Sequence, residues 1–276
     1  MMNRRAFIGS VTATVLLNRL GSFARNHSLK TIGMQLYTVR RQLEKDFEGT
    51  LAKVAALGYK EVEFAGYFHH KPPEVKSILD RHGLKAPSTH IVMADLRNKL
   101  SQVLEDSHAI GHEYIVLPWI DEKDRHPLDN WKRIAEFMNQ TAEKVHQSGF
   151  QFAYHNHNFE FENIDGKMPY DVLQENTDRK LVKFEMDLYW ITRGHQDPLK
   201  YFDKYPGRFP LVHVKDMDKN SENYTEVGRG RIDFKRVFAQ ADKGGIKHYF
   251  VEQDETPGPP FDSLKISYDN LSKLQF

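Results

Sequence analysis

The chain contains no cysteine, which excludes disulfides and thiolate metal ligands while leaving the cellular compartment open. Neither sign of charge is in surplus: 39 lysines and arginines stand against 38 acids, for a net charge of +1. The general basic field that nucleic-acid binding needs is therefore missing. No apolar run reaches the roughly 20 residues that span a bilayer, so stable membrane insertion is not expected. No stretch rich in proline, glycine and serine divides the chain after Lys30. With 28% charged and 12% aromatic residues, nothing in the composition points to disorder.

Acidic residues are also missing from the N-terminus, where the first is Glu44. Asn3-Arg4-Arg5-Ala6-Phe7 precedes the weakly apolar AFIGSVTATVLL, and Ser22-Phe23-Ala24 offers a small-x-small cleavage site. Paired arginines ahead of such a stretch resemble a twin-arginine export signal over residues 1–24 and predict a periplasmic protein. Its removal takes away three arginines and no acid, leaving 36 basic against 38 acidic side chains. What remains, residues 25–276, has close to the ~250 residues of a typical (β/α)8 barrel.

From Lys30 onward, β-type apolar runs alternate with amphipathic stretches. Strands are predicted at 31–37, 59–64, 85–91, 113–118, 151–156, 182–187, 210–215 and 247–252. Helical patterns between them cover 47–56, 73–82, 96–110, 128–148 and 233–241, and a last helix over 262–274 takes Asp262 as N-cap. Gly58, Gly83, Gly149 and Gly245 each close a helical run before a strand. Eight alternations predict one α/β domain, a TIM barrel rather than an open doubly wound sheet.

Successive strand residues point to opposite faces, and parity then separates two sets. Ile32, Met34 and Leu36 oppose Gly33, Gln35 and Tyr37; Val62 and Phe64 oppose Glu61 and Glu63. Ser88 pairs with His90, Ala153 with His155 and His157, Glu185 with Asp187, His213 with Lys215, and Glu252 with Asp254. If the apolar set packs on the helices, the polar set faces the barrel axis. Buried parallel strands usually read as continuous apolar runs, so a polar inner layer at the strand ends predicts a functional one.

Four strings carry that layer: AYHNHNFEF at 153–161, FEMD at 184–187, VHVKD at 212–216 and FVEQD at 250–254. His155, Asp187, His213 and Glu252 lie 32, 26 and 39 residues apart, about one strand-plus-helix unit each. Two imidazoles and two carboxylates converging on one end of a barrel make a divalent-metal site. Each also has a structural alternative: Asp187 as a helix cap, His213 as a core histidine, Glu252 as the partner of Lys215.

With IGMQLYTVR at 32–40, LGYKEVEFAG at 57–66, MDLYW at 186–190, HVKDMD at 213–218, VGRGRIDF at 227–234 and VEQDE at 251–255, the chain resembles the xylose isomerase-like TIM barrels. These form the sugar-phosphate isomerase/epimerase superfamily, which also holds inosose dehydratase and endonuclease IV. The resemblance implies one divalent cation, Mn2+ first and Zn2+, Co2+ or Mg2+ otherwise, on residues ending strands 5 to 8. Asp187, His213 and Glu252 take three of those positions. At the fourth, relatives carry a glutamate where this chain has His155-Asn156-His157. His155 is the first choice of ligand and His157 the reserve.

In the family's isomerases two carboxylates pass a proton through an enediolate. Here Glu252 can act as one base, with His155, His157 or Glu160 on the other face. Gln35, Glu63, His90, His157 and Lys215 are candidate contacts for sugar hydroxyls, and Tyr37, Trp119, Tyr189 and Trp190 for a ring face. Arg229 is read either as a contact for a carboxylate or phosphate or as a surface residue. The first expectation is a metal-dependent sugar isomerase or epimerase, with a carbohydrate as partner and a homodimer as a possible assembly. The alternatives are a carbon–oxygen lyase on a 3-keto-glycoside or inosose, and a non-catalytic sugar-binding barrel. A net negative mature chain argues against an endonuclease.

Overall fold

In the computed structural model, which describes residues 27–276, eight parallel strands close into a barrel. They are β1 (Gly33–Gln35), β2 (Glu61–Phe64), β3 (Lys85–His90), β4 (Tyr114–Leu117), β5 (Gln151–His155), β6 (Val182–Asp187), β7 (Leu211–Val214) and β10 (His248–Val251). From β1 to β7 each pairs with the next, β7 pairs with β10, and β1 closes the ring by pairing with both β2 and β10. A two-stranded antiparallel ribbon, β8 (Asp216–Met217) and β9 (Tyr224–Thr225), follows β7. The expected TIM barrel is what forms. The segment read as an export signal lies outside the described residues. Among those described, no helix is long and apolar enough to cross a membrane.

Parity sorts the strands as expected. Met34, Val62, Phe64, Phe152, Tyr154, Phe184, Met186 and Val212 point outward into the apolar layer beneath the helices, all fully buried. Inside, Tyr114, Val116, Ala153, Leu211 and Phe250 form a separate apolar plug. Gly33 is required there, because a Cβ on it would stand 2.6 Å from the Phe250 ring. Above the plug the inward positions turn polar, and the helix ring shields them from the side.

Several boundaries differ from expectation for local reasons. Strand 1 stops at Gln35 because the Gln35 side chain accepts the Tyr37 amide at 3.0 Å, turning Leu36–Val39 into a 3-10 helix. The helix expected over 96–110 is two, Met93–Asn98 and Leu100–Ile110, because Lys99 leaves helical geometry (φ −136, ψ 23). Similarly, 233–241 gives only Phe234–Phe238, with Ala241–Gly244 after it. Asp262 is not an N-cap: the last helix, Pro260–Leu271, starts on Pro259, with Pro260 at a position where a missing N–H costs nothing.

The VGRGRIDF loop is structural in detail. Asp216 accepts the amides of Gly228 and Gly230 through Oδ2 at 3.0 and 2.9 Å, and of Met217 and Ile232 through Oδ1 at 2.8 and 3.2 Å. A Cβ on Gly230 would sit 2.2 Å from Asp216 Oδ1, so only glycine lets the loop close on that carboxylate.

Candidate metal and substrate site

At the C-terminal end of the barrel a cavity of about 660 Å³ opens to solvent. His90, His155, His157, Lys215, Glu252 and Asp254 contribute its polar wall; Tyr37, Trp119, Phe159 and Trp190 contribute its aromatic wall. Beneath it, without lining it, lie Glu63, Glu185, Asp187 and His213, all with no exposure.

His213, on β7, is the hub. Its Nδ1 is 3.1 Å from Glu252 Oε2 and 3.7 Å from Asp187 Oδ2, while its Nε2 is 2.8 Å from Glu63 Oε1 and 3.3 Å from Glu185 Oε2. Burial disfavours a charged ring there, but the surrounding carboxylates outweigh it and hold its pKa well above the usual value. Glu252 shows the converse. Burial opposes its charge, yet Lys215 and His213 keep the carboxyl well below the ordinary range.

Lys215 is 1% exposed, with Nζ 3.0 Å from Glu252 and 2.8 Å from Asp254. It also stands over the rings of Trp190 and Tyr224 at 5.1 and 5.0 Å. The carboxylates keep it cationic against burial.

Asp187 does two things at once. Its Oδ1 caps the helix Leu188–Arg193, accepting the Tyr189 and Trp190 amides at 2.8 Å each. Its Oδ2 is buried with no hydrogen-bond partner. One donor atom each from Asp187, His213 and Glu252 lie within 4.8 Å of one another. A buried anionic oxygen with unused lone pairs, beside an imidazole and a second carboxylate, matches the donor set of a divalent cation. These residues fit one.

His155 joins a different set, with His90, Glu185 and His213. Burial and the neighbouring His213 charge hold it neutral. His157 is neutral too, first through burial and then through Lys215. Trp119 meets its ring edge-on at 4.7 Å, Phe159 stacks at 5.6 Å and Trp190 lies at 5.2 Å, leaving Nδ1 buried and without a partner. Arg125, which also lines the cavity, packs on this wall, 3.5 Å from the Phe159 ring centre and 4.5 Å from that of Trp119.

Other candidates lie elsewhere. Gln35 is spent on Glu63 (2.7 Å) and the Tyr37 amide, and Glu63 on Gln35, Ser88, His90 and His213, so both are beneath the floor and in use. Tyr189 gives its hydroxyl to the Glu222 carbonyl. Arg229 pairs with Glu226 at 3.3 Å and does not line the cavity.

Glu160 is turned away from the cavity. It accepts the Tyr154 hydroxyl and, at 2.8 Å, the His157 amide, and so supports the turn that presents His157. Burial raises its carboxyl from 4.5 to about 7. A carboxyl raised on folding removes stability as pH climbs through that interval. Glu160→Gln, which mimics the protonated acid, is expected to match the parent at pH 4.5 and exceed it by roughly 2–3 kcal/mol at pH 8.5. Urea unfolding at the two pH values checks this.

Residues 51–273 match the xylose isomerase-like TIM barrel family. The chain belongs to that family. Among curated relatives, the inosose dehydratase of Lacticaseibacillus casei is 24% identical over 260 aligned positions, covering 79% of this chain and 86% of that protein. That of Geobacillus thermodenitrificans is 27% identical over 260 positions with the same coverage. The crystal structure of a sugar phosphate isomerase/epimerase from Parabacteroides distasonis superposes with a TM-score of 0.79 at 28% identity, covering 89% of this chain and 99% of that one. A structure of the IOLI protein with a zinc atom shares the fold, at a TM-score of 0.68 and 12% identity, over 87% of this chain and 96% of that one.

Glu185 and Asp254 were not singled out from sequence as site residues. The signal was available for both: each shares inward parity with a candidate ligand two positions away, Asp187 and Glu252.

Proposed function

We propose that the protein is a metal-assisted carbon–oxygen lyase, a dehydratase acting on a polyhydroxylated cyclic ketone such as an inosose or keto-sugar. The observation that carries this is His157: a neutral imidazole lining the same cavity as the cationic Lys215. Similarity to inosose dehydratases over most of the chain supports the same reading. A divalent cation held by Asp187, His213 and Glu252 would supply Lewis acidity toward the substrate carbonyl.

The chain's own groups do the rest. His157 takes the proton from the carbon next to the carbonyl, and the Lys215 ammonium stabilises the charge that develops on oxygen. The C–O bond at the neighbouring carbon then breaks, and His157 returns its proton to the departing hydroxyl, which leaves as water. The aromatic wall covers the ring face and limits solvent access. A sugar isomerase or epimerase is the second reading, favoured by the name of the Parabacteroides structure. It needs a second proton carrier on the opposite face, and the carboxylates that line the cavity are Glu162, Glu252, Asp254 and Glu255.

The test is incubation of Mn2+- or Zn2+-loaded protein with inososes, ketoses and 3-keto-glycosides in D₂O, followed by NMR and mass spectrometry. Loss of water, or of the aglycone from a glycoside, is expected. Deuterium incorporation without such loss would replace the lyase with an isomerase or epimerase. Binding with neither would leave a sugar-binding barrel.

A further inference from the structure

Glu185 lies one inward position deeper than Asp187 on β6 and is fully buried. Three imidazole nitrogens surround its Oε2: His90 Nε2 at 2.7 Å, His155 Nδ1 at 3.3 Å and His213 Nε2 at 3.3 Å. One donor atom from each of these four residues lies within 4.8 Å of the others. Hydrogen bonding accounts for the cluster only in part: His90 Nε2 bonds Glu185 and His213 Nε2 bonds Glu63, but His155 Nδ1 and Glu185 Oε1 are buried without a hydrogen-bond partner. Burying such groups unpaired is costly.

We propose that His90, His155, Glu185 and His213 form a second divalent-cation site, beneath the one on Asp187, His213 and Glu252. The two sets share only His213, and through opposite ring nitrogens: Nε2 faces Glu185 and Nδ1 faces Glu252 and Asp187. Three imidazoles and one carboxylate form a softer donor set than two carboxylates and one imidazole. It selects zinc or cobalt over magnesium or manganese. Glu63 Oε1, 3.0 Å from His90 Nε2 and 2.8 Å from His213 Nε2, adds negative charge at the edge of the site.

His90 and His155 line the cavity, which gives a cation a way in. With both sites filled, the His213 ring would be held through both nitrogens, Nε2 on the Glu185 side and Nδ1 on the Glu252 side, and the two N–H protons of the imidazolium would pass to solvent. Three of its four residues, His90, His155 and Glu185, take no part in the lyase reading, and only His213 is common to both.

The experiment is anomalous diffraction at the zinc edge from crystals of the metal-freed, zinc-reloaded protein, with zinc counted by mass spectrometry. Two zinc ions per chain are expected, one with its peak among His90, His155, Glu185 and His213. Glu185→Gln should lose that peak and keep the upper one; Asp187→Asn should do the reverse. No peak at the lower position in the parent protein, or a peak that persists undiminished in Glu185→Gln, overturns the proposal. The parent crystals decide the matter even where a variant fails to fold. Loss of the upper peak alone would count against the metal assignment in the lyase reading and leave this one standing.

Discussion

Replacing His213 by alanine is expected to destabilise the metal-free protein at pH 7 by about 3–5 kcal/mol, the cost of stripping buried carboxylates of their counter-ion. The ring is wholly buried and stands within 3.7 Å of Glu63, Glu185, Asp187 and Glu252. His90 and Lys215 are the other cations in the network, and neither reaches all four acids. His90 touches Glu63 and Glu185; Lys215 touches Glu252, with Asp187 at 3.8 Å. Urea unfolding checks the loss. The same variant should bind no divalent cation at the Asp187–Glu252 site, measured by titration calorimetry. Binding at parental affinity would show that the imidazole is a structural pillar and not a ligand.

The second large effect is at Lys215. Lys215→Met keeps most of the side-chain volume and removes the charge, and turnover is expected to fall by roughly 10²–10³-fold, as when one preorganised stabiliser of developing charge is lost. Cation binding should move the other way. Lys215 Nζ lies 3.0 Å from Glu252 Oε2, so its charge competes with a cation for that oxygen. Without it, affinity for Mn2+ should rise several-fold by calorimetry. Lower turnover with tighter metal binding separates a role in the reaction from general damage, which would weaken both. If turnover is unchanged, Lys215 serves only to balance charge.

The barrel was legible because its signals are local. The strands alternate with helical runs, four of which are followed by glycine, and Gly83 and Gly245 do adopt the left-handed geometry that such closure needs, with φ 63 and 80. Inward parity was legible for the same reason: side chains alternate along a strand, so Glu63, His155, Asp187 and His213 could be assigned to one face before any contact was known. Boundaries were less legible where a side chain competes with the backbone pattern. Gln35 ends its strand by accepting the Tyr37 amide, and nothing in IGMQLYTVR distinguishes that glutamine from one that continues the ladder.

Depth within the barrel was not legible. Glu185 and Asp187 share a face and differ by one pleat, so sequence marks both as inward. It does not say that Asp187 meets Glu252 while Glu185 meets His90 and His155. That depends on the stagger of eight strands around the ring. Glu160 illustrates the same limit: it follows β5 among polar residues, and only the packing of Tyr154 turns it beneath the His157 turn.

By itself, then, the sequence determined an eight-fold alternation, a polar inner rim and the residue types available there, because periodicity and residue chemistry are properties of the chain taken locally. The tertiary structure decided how those types combine. It placed His213 between two sets of donors, left His157 with a free nitrogen in an aromatic wall, and set Lys215 against Glu252. Those relations join residues up to 150 positions apart, as with Glu63 and His213, and exist only once the barrel has closed.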